Sequence, residues 1–152
     1  MGSTIYKHRL LSVATVLVAL TAPATWAQEK TVGGVVINLG LMTAAKAMQV
    51  DGHREAHEHA FTSSISAEHL LVTLSDAKTG ERIGDAAVLV EVEDPKGKVE
   101  RRPLLRTHSA GLPDYSEIFQ FGWTGNYAIR VIVTPKPGAK PIDARFTVSH
   151  SP

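Results

Sequence analysis

From residue 68 onward, apolar and polar positions alternate in short runs broken by turn residues, the period of half-buried strands rather than of helices. In HLLVTLSD, Leu70, Val72 and Leu74 share one face; in AAVLVEVED, Ala86, Val88, Val90 and Val92 point inward while Glu91 and Glu93 meet water. The same pattern makes Phe119 and Phe121 one face of EIFQFGW. It makes Tyr127, Ile129, Val131 and Val133 one face of NYAIRVIVTP, with Arg130 outward. ARFTVSH ends the series with Phe146 and Val148 inward. GKVERRPLLRT is a weaker strand interrupted by Pro103, which cannot donate to a ladder and so belongs at a sheet edge.

The connectors agree with this division. DAKTGERIGD, DPKG, SAGLPD, WTGN and PKPGAKP carry Gly, Pro, Asp or Asn where a turn needs a positive or a fixed φ. WTGNY reads as a hairpin turn at Gly125 and Asn126, with Trp123 and Tyr127 packed around it. Tyr115, in GLPDYSE, is expected to bury its ring and bond back to the main chain at a sandwich corner. Upstream, VGGVVINLGLM adds a strand with Val35, Ile37 and Leu39 on one side and Val36, Asn38 and Gly40 on the other. The expected fold is therefore all-β, an antiparallel β-sandwich of about seven strands.

Residues 1–27 follow a different rule: Lys7, His8 and Arg9 precede the apolar run LLSVATVLVAL and the small residues of TAPATWA. This is the layout of a secretory signal peptide, with cleavage expected after Ala27 and Ala24 as the alternative. An uncleaved anchor is the competing reading, and no later segment could span a bilayer. The protein is thus expected in a bacterial periplasm or outside the cell. The layout is a signal at 1–27, an N-terminal strand and lead-in at 28–47, a histidine-rich connector at 48–66 and a sandwich body at 67–152.

Loss of Lys7 and Arg9 from the 16 basic residues leaves 14 against 15 acidic ones, so the mature surface has no positive field to attract nucleic acid. With no cysteine, neither disulfides nor thiolate metal ligation is possible. The roughly 125 residues after the signal suffice for one apolar core.

The connector TAAKAMQVDGHREAHEHAFTSS breaks the strand pattern: it is Ala-rich, then charged, then Ser-rich, with at most one helical turn in TAAKAM. A structureless stretch of this length inside a small domain is often functional or disordered. It holds His53, His57 and His59, three of the seven histidines, with Glu55 and Glu58 between them. On a helix, His53 and His57 share a face and His59 turns away; on an extended segment all three point to one side. Imidazole is a ligand for Cu(II) and Zn(II), and a chain without cysteine must build any tight site from His, carboxylate or Met. The order HREAH is not the HExxH of zinc proteases. A solvated surface loop and a pH-sensing cluster are the competing readings.

His69, opposite in parity to the apolar face of its strand, and His108, in the expected THSAGLPDY loop, could add ligands from the body. Met42 and Met48 are possible thioether ligands, although apolar packing is their ordinary use. His150 reads as an end-of-strand packing residue or a frayed end. Ser109, Asp114, Tyr115, Ser116 and Glu117 are dense in polar groups but form no recognisable nucleophile or paired-carboxylate set.

HLLVTLSDAKTGERIGDAAVLVEVEDPKG followed by YSEIFQFGWTGNYAIRVIV resembles small exported immunoglobulin-like domains of the YtkA-like kind, over about residues 68–149. The carriers are the strand ending in D-x-x-T-G, the I-x-D-A-x-V start of the next and the later G-x-Y strand. The resemblance implies an immunoglobulin-like sandwich and a non-enzymatic binding or assembly role in the cell envelope. Two functions are expected from different classes. One is a metal-binding protein, copper before zinc, using His53, His57 and His59 with His69 or His108. The other is a metal-free module that docks on an envelope protein through an edge strand or the 107–117 loop.

Overall fold

The alternation dictates which faces meet, and the computed structural model, which describes residues 26–47 and 66–151, shows how. The elements are β1 (Trp26–Val32), β2 (Val35–Thr43), a single turn α1 (Ala44–Ala47), β3 (Ala67–Asp76), β4 (Ala87–Glu93) and β5 (Val99–Pro103). They continue with β6 (Leu105–Ser109), β7 (Leu112–Gln120), β8 (Gly125–Thr134) and β9 (Ile142–His150). All pairings are antiparallel, in one sheet of order β1-β2-β3-β7-β6 and another of order β5-β4-β8-β9. The protein is an all-β sandwich. No helix among the described residues is long and apolar enough to cross a membrane.

The core is the set of inward positions read from the alternation. Ile37, Leu70, Val72, Leu74 and Phe119 from the first sheet, and Val90, Tyr127, Val131 and Val133 from the second, have no or almost no exposed surface. A fully buried Val, Leu or Phe side chain contributes about 1.5–3 kcal/mol relative to an exposed one. Core burial therefore holds the two sheets together without disulfides.

Among the described residues there are nine strands rather than seven, for two local reasons. WAQEKTV pairs with β2 through a two-residue turn in which Gly33 and Gly34 both have positive φ, 58° and 79°. Such a turn matches the twist of a hairpin and favours glycine. The expected cleavage point after Ala27 falls inside β1; the pairs from Gln28↔Leu39 to Val32↔Val35 lie beyond it. Residues 1–25, with the rest of the expected signal, lie outside the described residues.

GKVERRPLLRT is two strands in different sheets. β5 runs along the edge of the second sheet as far as Pro103, opposite Leu89. Leu104 then turns into the core, 7% exposed, and its N–H donates to the Val88 carbonyl at 2.9 Å. β6 emerges as the edge of the first sheet. The proline ends one ladder, and the buried leucine carries the chain across to the other.

WTGNY is likewise not a hairpin, because β7 and β8 belong to different sheets. It is a corner, closed by Tyr127, whose buried hydroxyl accepts from the Trp123 N–H at 2.9 Å and donates to the Trp123 carbonyl at 3.1 Å. Tyr115 makes the expected corner: its hydroxyl accepts from the Ala86 N–H at 2.9 Å and donates to the Ile83 carbonyl at 3.2 Å. Burial pushes the Tyr115 phenol above its ordinary range. The D-x-x-T-G stretch is a turn in which Asp76 Oδ1 accepts from the N–H groups of Lys78 and Thr79 at 2.8 and 2.9 Å. These bonds hold the Asp76 carboxyl below the ordinary aspartate range.

Two outcomes are expected. Tyr115→Phe leaves the Ala86 N–H and the Ile83 carbonyl without this partner and lowers stability by about 1–2 kcal/mol. In urea unfolding the midpoint moves down and the slope is unchanged. The Asp76 contribution follows acid: because its native pKa is lowered, the stability difference from Asp76→Asn is complete above about pH 4. That difference disappears as pH falls through the lower native value; thermal melts of both proteins across that range measure it.

Candidate metal centre

The strand pairings place the connector. The last residues of β2 lie beside the first of β3, with Met42 opposite His69 and Thr43 opposite Glu68. α1 carries the chain on to Ala47, and it is described again from Ser66. Residues 48–65 between these points, with His53, His57, His59 and Met48, lie outside the described residues. Both ends of the connector therefore meet the sandwich at one end, where β2 finishes and β3 starts.

His69 has the parity expected of it, pointing away from the main core. It is nevertheless buried, 1% exposed. On this outer face it sits between Met42 of β2 and Ile118 of β7 in the strand register. Ala44, Ala67 and Ile118 form a second, small apolar cluster on the same face, and α1 packs against both β2 and β3 there. An imidazole and a thioether thus lie on neighbouring strands at the point from which the connector departs. Both are ligands for copper.

His108 is placed differently. THSAGLPDY is not a loop but the β6–β7 hairpin, turning at Ala110 and Gly111 with φ of 51° and 78°. His108 is exposed and lies opposite Pro113. His69 lies opposite Ile118, five residues further along β7, a separation along the strand of about 17 Å. The structure does not bring His69 and His108 together.

The polar run around residue 114 is structural in its contacts. Asp114, 1% exposed, accepts hydrogen bonds from the hydroxyls of Thr107 and Ser109, and Thr107 is 3.2 Å from the Ser116 hydroxyl. The three hydroxyls and the carboxylate tie β6 to β7. Among the described residues, no group of three or more His, Cys, Asp or Glu side chains is arranged to hold a metal ion.

The alternation also passed over a pair. Glu68 shares parity with Leu70, Val72 and Leu74, and so points inward at the end of the sandwich. Its carboxylate lies 3.9 Å from His150 Nδ1, with side chains 9% and 10% exposed. Burial pushes the Glu68 carboxyl above its ordinary range. The His150 ring packs 5.5 Å from Phe121 and edge-on 6.0 Å from Tyr127, so this strand end is ordered and packed. A glutamate at a core parity was the available signal. It identified its partner only once β9 was known to end opposite the start of β8.

No family model matches the chain, the YtkA-like one included, and no curated protein matches it. Solved structures of similar fold do exist. A DUF4426 family protein from Pseudomonas aeruginosa superposes with a TM-score of 0.66 at 16% identity, over 83% of this chain and 95% of that one. The copper-bound form of a FetP variant from uropathogenic Escherichia coli gives 0.66 at 11% identity, over 84% and 97%. Copper-reconstituted P19 from Campylobacter jejuni gives 0.61 at 13% identity, over 82% and 93%. At these identities the likeness is one of fold, and it spans almost the whole of each neighbour.

Proposed function

We propose that this chain is an exported, non-catalytic protein that binds a transition-metal ion, copper before zinc, through His53, His57 and His59 with His69. The observation that carries the reading is the position of the connector: it leaves and rejoins the sandwich on either side of the Met42–His69 pair. A buried imidazole beside a thioether supplies ligands from a rigid strand, and the connector supplies three more imidazoles. His108 is left out of the set because about 17 Å of strand separates it from His69. The copper-bound FetP and P19 structures of like fold support copper over zinc. FetP expressed in the periplasm supports the same compartment here.

Calorimetric titration of Cu(II) into the wild-type protein and into a His53→Ala/His57→Ala/His59→Ala variant tests this. The variant is expected to take up one Cu(II) fewer per chain, and His69→Leu to weaken that site at least tenfold with the fold intact. Equal stoichiometry and affinity in wild type and triple variant would sink the reading.

A second reading is supported by the open edge of the first sheet. There Leu105 and Leu112, at the two ends of the β6–β7 hairpin, are 45% and 50% exposed. As a docking module for an envelope protein, the chain would pair that edge with its partner. Capture of a defined envelope protein that survives EDTA and is lost on Leu105→Asp/Leu112→Asp is the expected result. Capture that depends on metal counts against it.

A further inference from the structure

We propose that Glu68 and His150 form a second Cu(II) site, independent of the connector histidines, in which the Glu68 carboxylate and His150 Nδ1 are the protein ligands. Adjacent residues of a strand point to opposite faces, so Glu68 cannot share a metal with His69. The site lies on the inner side of β3 and goes beyond the function proposed above.

Three observations converge on it. The first is the separation. Nδ1 and Oε1 are 3.9 Å apart, too far for a hydrogen bond. Around a tetragonal Cu(II) ion with donors at about 2.0 Å, adjacent donors stand about 2.8 Å apart and opposite ones about 4.0 Å apart, so the observed separation is that of opposite positions. In the tautomer that carries its proton on Nε2, Nδ1 is an acceptor facing a carboxylate oxygen, and a cation held between the two makes that arrangement favourable.

The second is the state of the histidine. Its side chain is nine-tenths buried, beside a Glu68 side chain buried to the same degree. Packing against Phe121 and Tyr127 restrains the ring, which keeps Nδ1 on the Glu68 side.

The third is access. Glu68 and His150 line a cavity of about 400 Å³ at the end of the sandwich, with Met42, Thr43, Ser149 and Ser151. It gives an ion a route in and leaves room for water in the remaining coordination positions. The mixed oxygen and nitrogen donors suit Cu(II).

The test is a Cu(II) titration in the background lacking His53, His57 and His59, read by calorimetry and by electron paramagnetic resonance. That triple variant is expected to retain one Cu(II) per chain, with the spectral signature of a single imidazole nitrogen. Glu68→Gln or His150→Gln in the same background is expected to weaken the retained ion at least tenfold. Glu68→Gln preserves shape and serves where His150→Gln disturbs folding, which thermal melting monitors. No copper bound by the triple variant, or bound copper indifferent to both substitutions, overturns the second site and leaves the connector reading standing. If Glu68→Gln removes one Cu(II) from the wild-type protein while the triple substitution removes none, the second site stands and the connector reading falls.

Discussion

The register of β3 between β2 and β7 is the constraint on which the rest depends. Leu70, Val72 and Leu74 are fully buried in the core, and a slip of one residue would turn all three out to the other face. That cost fixes which of Glu68 and His69 faces inward and which outward. It also fixes Met42 and Ile118 as the neighbours of His69. The chemistry at this end of the sandwich is therefore set by hydrophobic burial several residues away.

Side-chain bonds to the main chain then hold the corners. The Tyr115 hydroxyl ties β7 to the segment between Ile83 and Ala86, which crosses from the first sheet to the second. The Tyr127 hydroxyl ties β8 back to Trp123 at the other crossing. Asp76 and Asp94 each accept two main-chain N–H bonds within their turns, so those turns are set by short-range chemistry. Long-range pairing and local turn bonding agree, and a chain without cysteine holds one arrangement.

Most of the sandwich was legible because half-buried strands carry their facing in a period of two. Val88, Val90 and Val92, or Ile129, Val131 and Val133, could be assigned to the core by parity alone. What parity does not encode is the sheet to which a strand belongs. GKVERRPLLRT and WTGNY both look locally continuous, yet each crosses between sheets, through a buried Leu104 in one and a Tyr127-bonded corner in the other. The candidate site was legible in part for the same reason. The parity of His69 was plain, but its burial depends on Ile118, 49 positions away in sequence. Glu68 and His150 are 82 positions apart, and only the closing of the sandwich brings them together.

Strand ends are where such chemistry can accumulate on this fold. In the middle of the sandwich, an inward charge would face Val90 or Val131 and have no water or partner. At the end, Glu68 meets a cavity of mixed polar and apolar lining on one side and the packed His150 ring on the other. The outward position beside it, His69, is shielded within the small cluster that includes α1 rather than by the main core. One strand end thus presents a carboxylate to the interior and an imidazole to the exterior, one residue apart and separated by the sheet itself. Because 16 basic and 15 acidic residues nearly balance, no broad surface field gathers a cation. Any selectivity for a metal ion must come from these local donor atoms and from the rigidity of the strands that hold them.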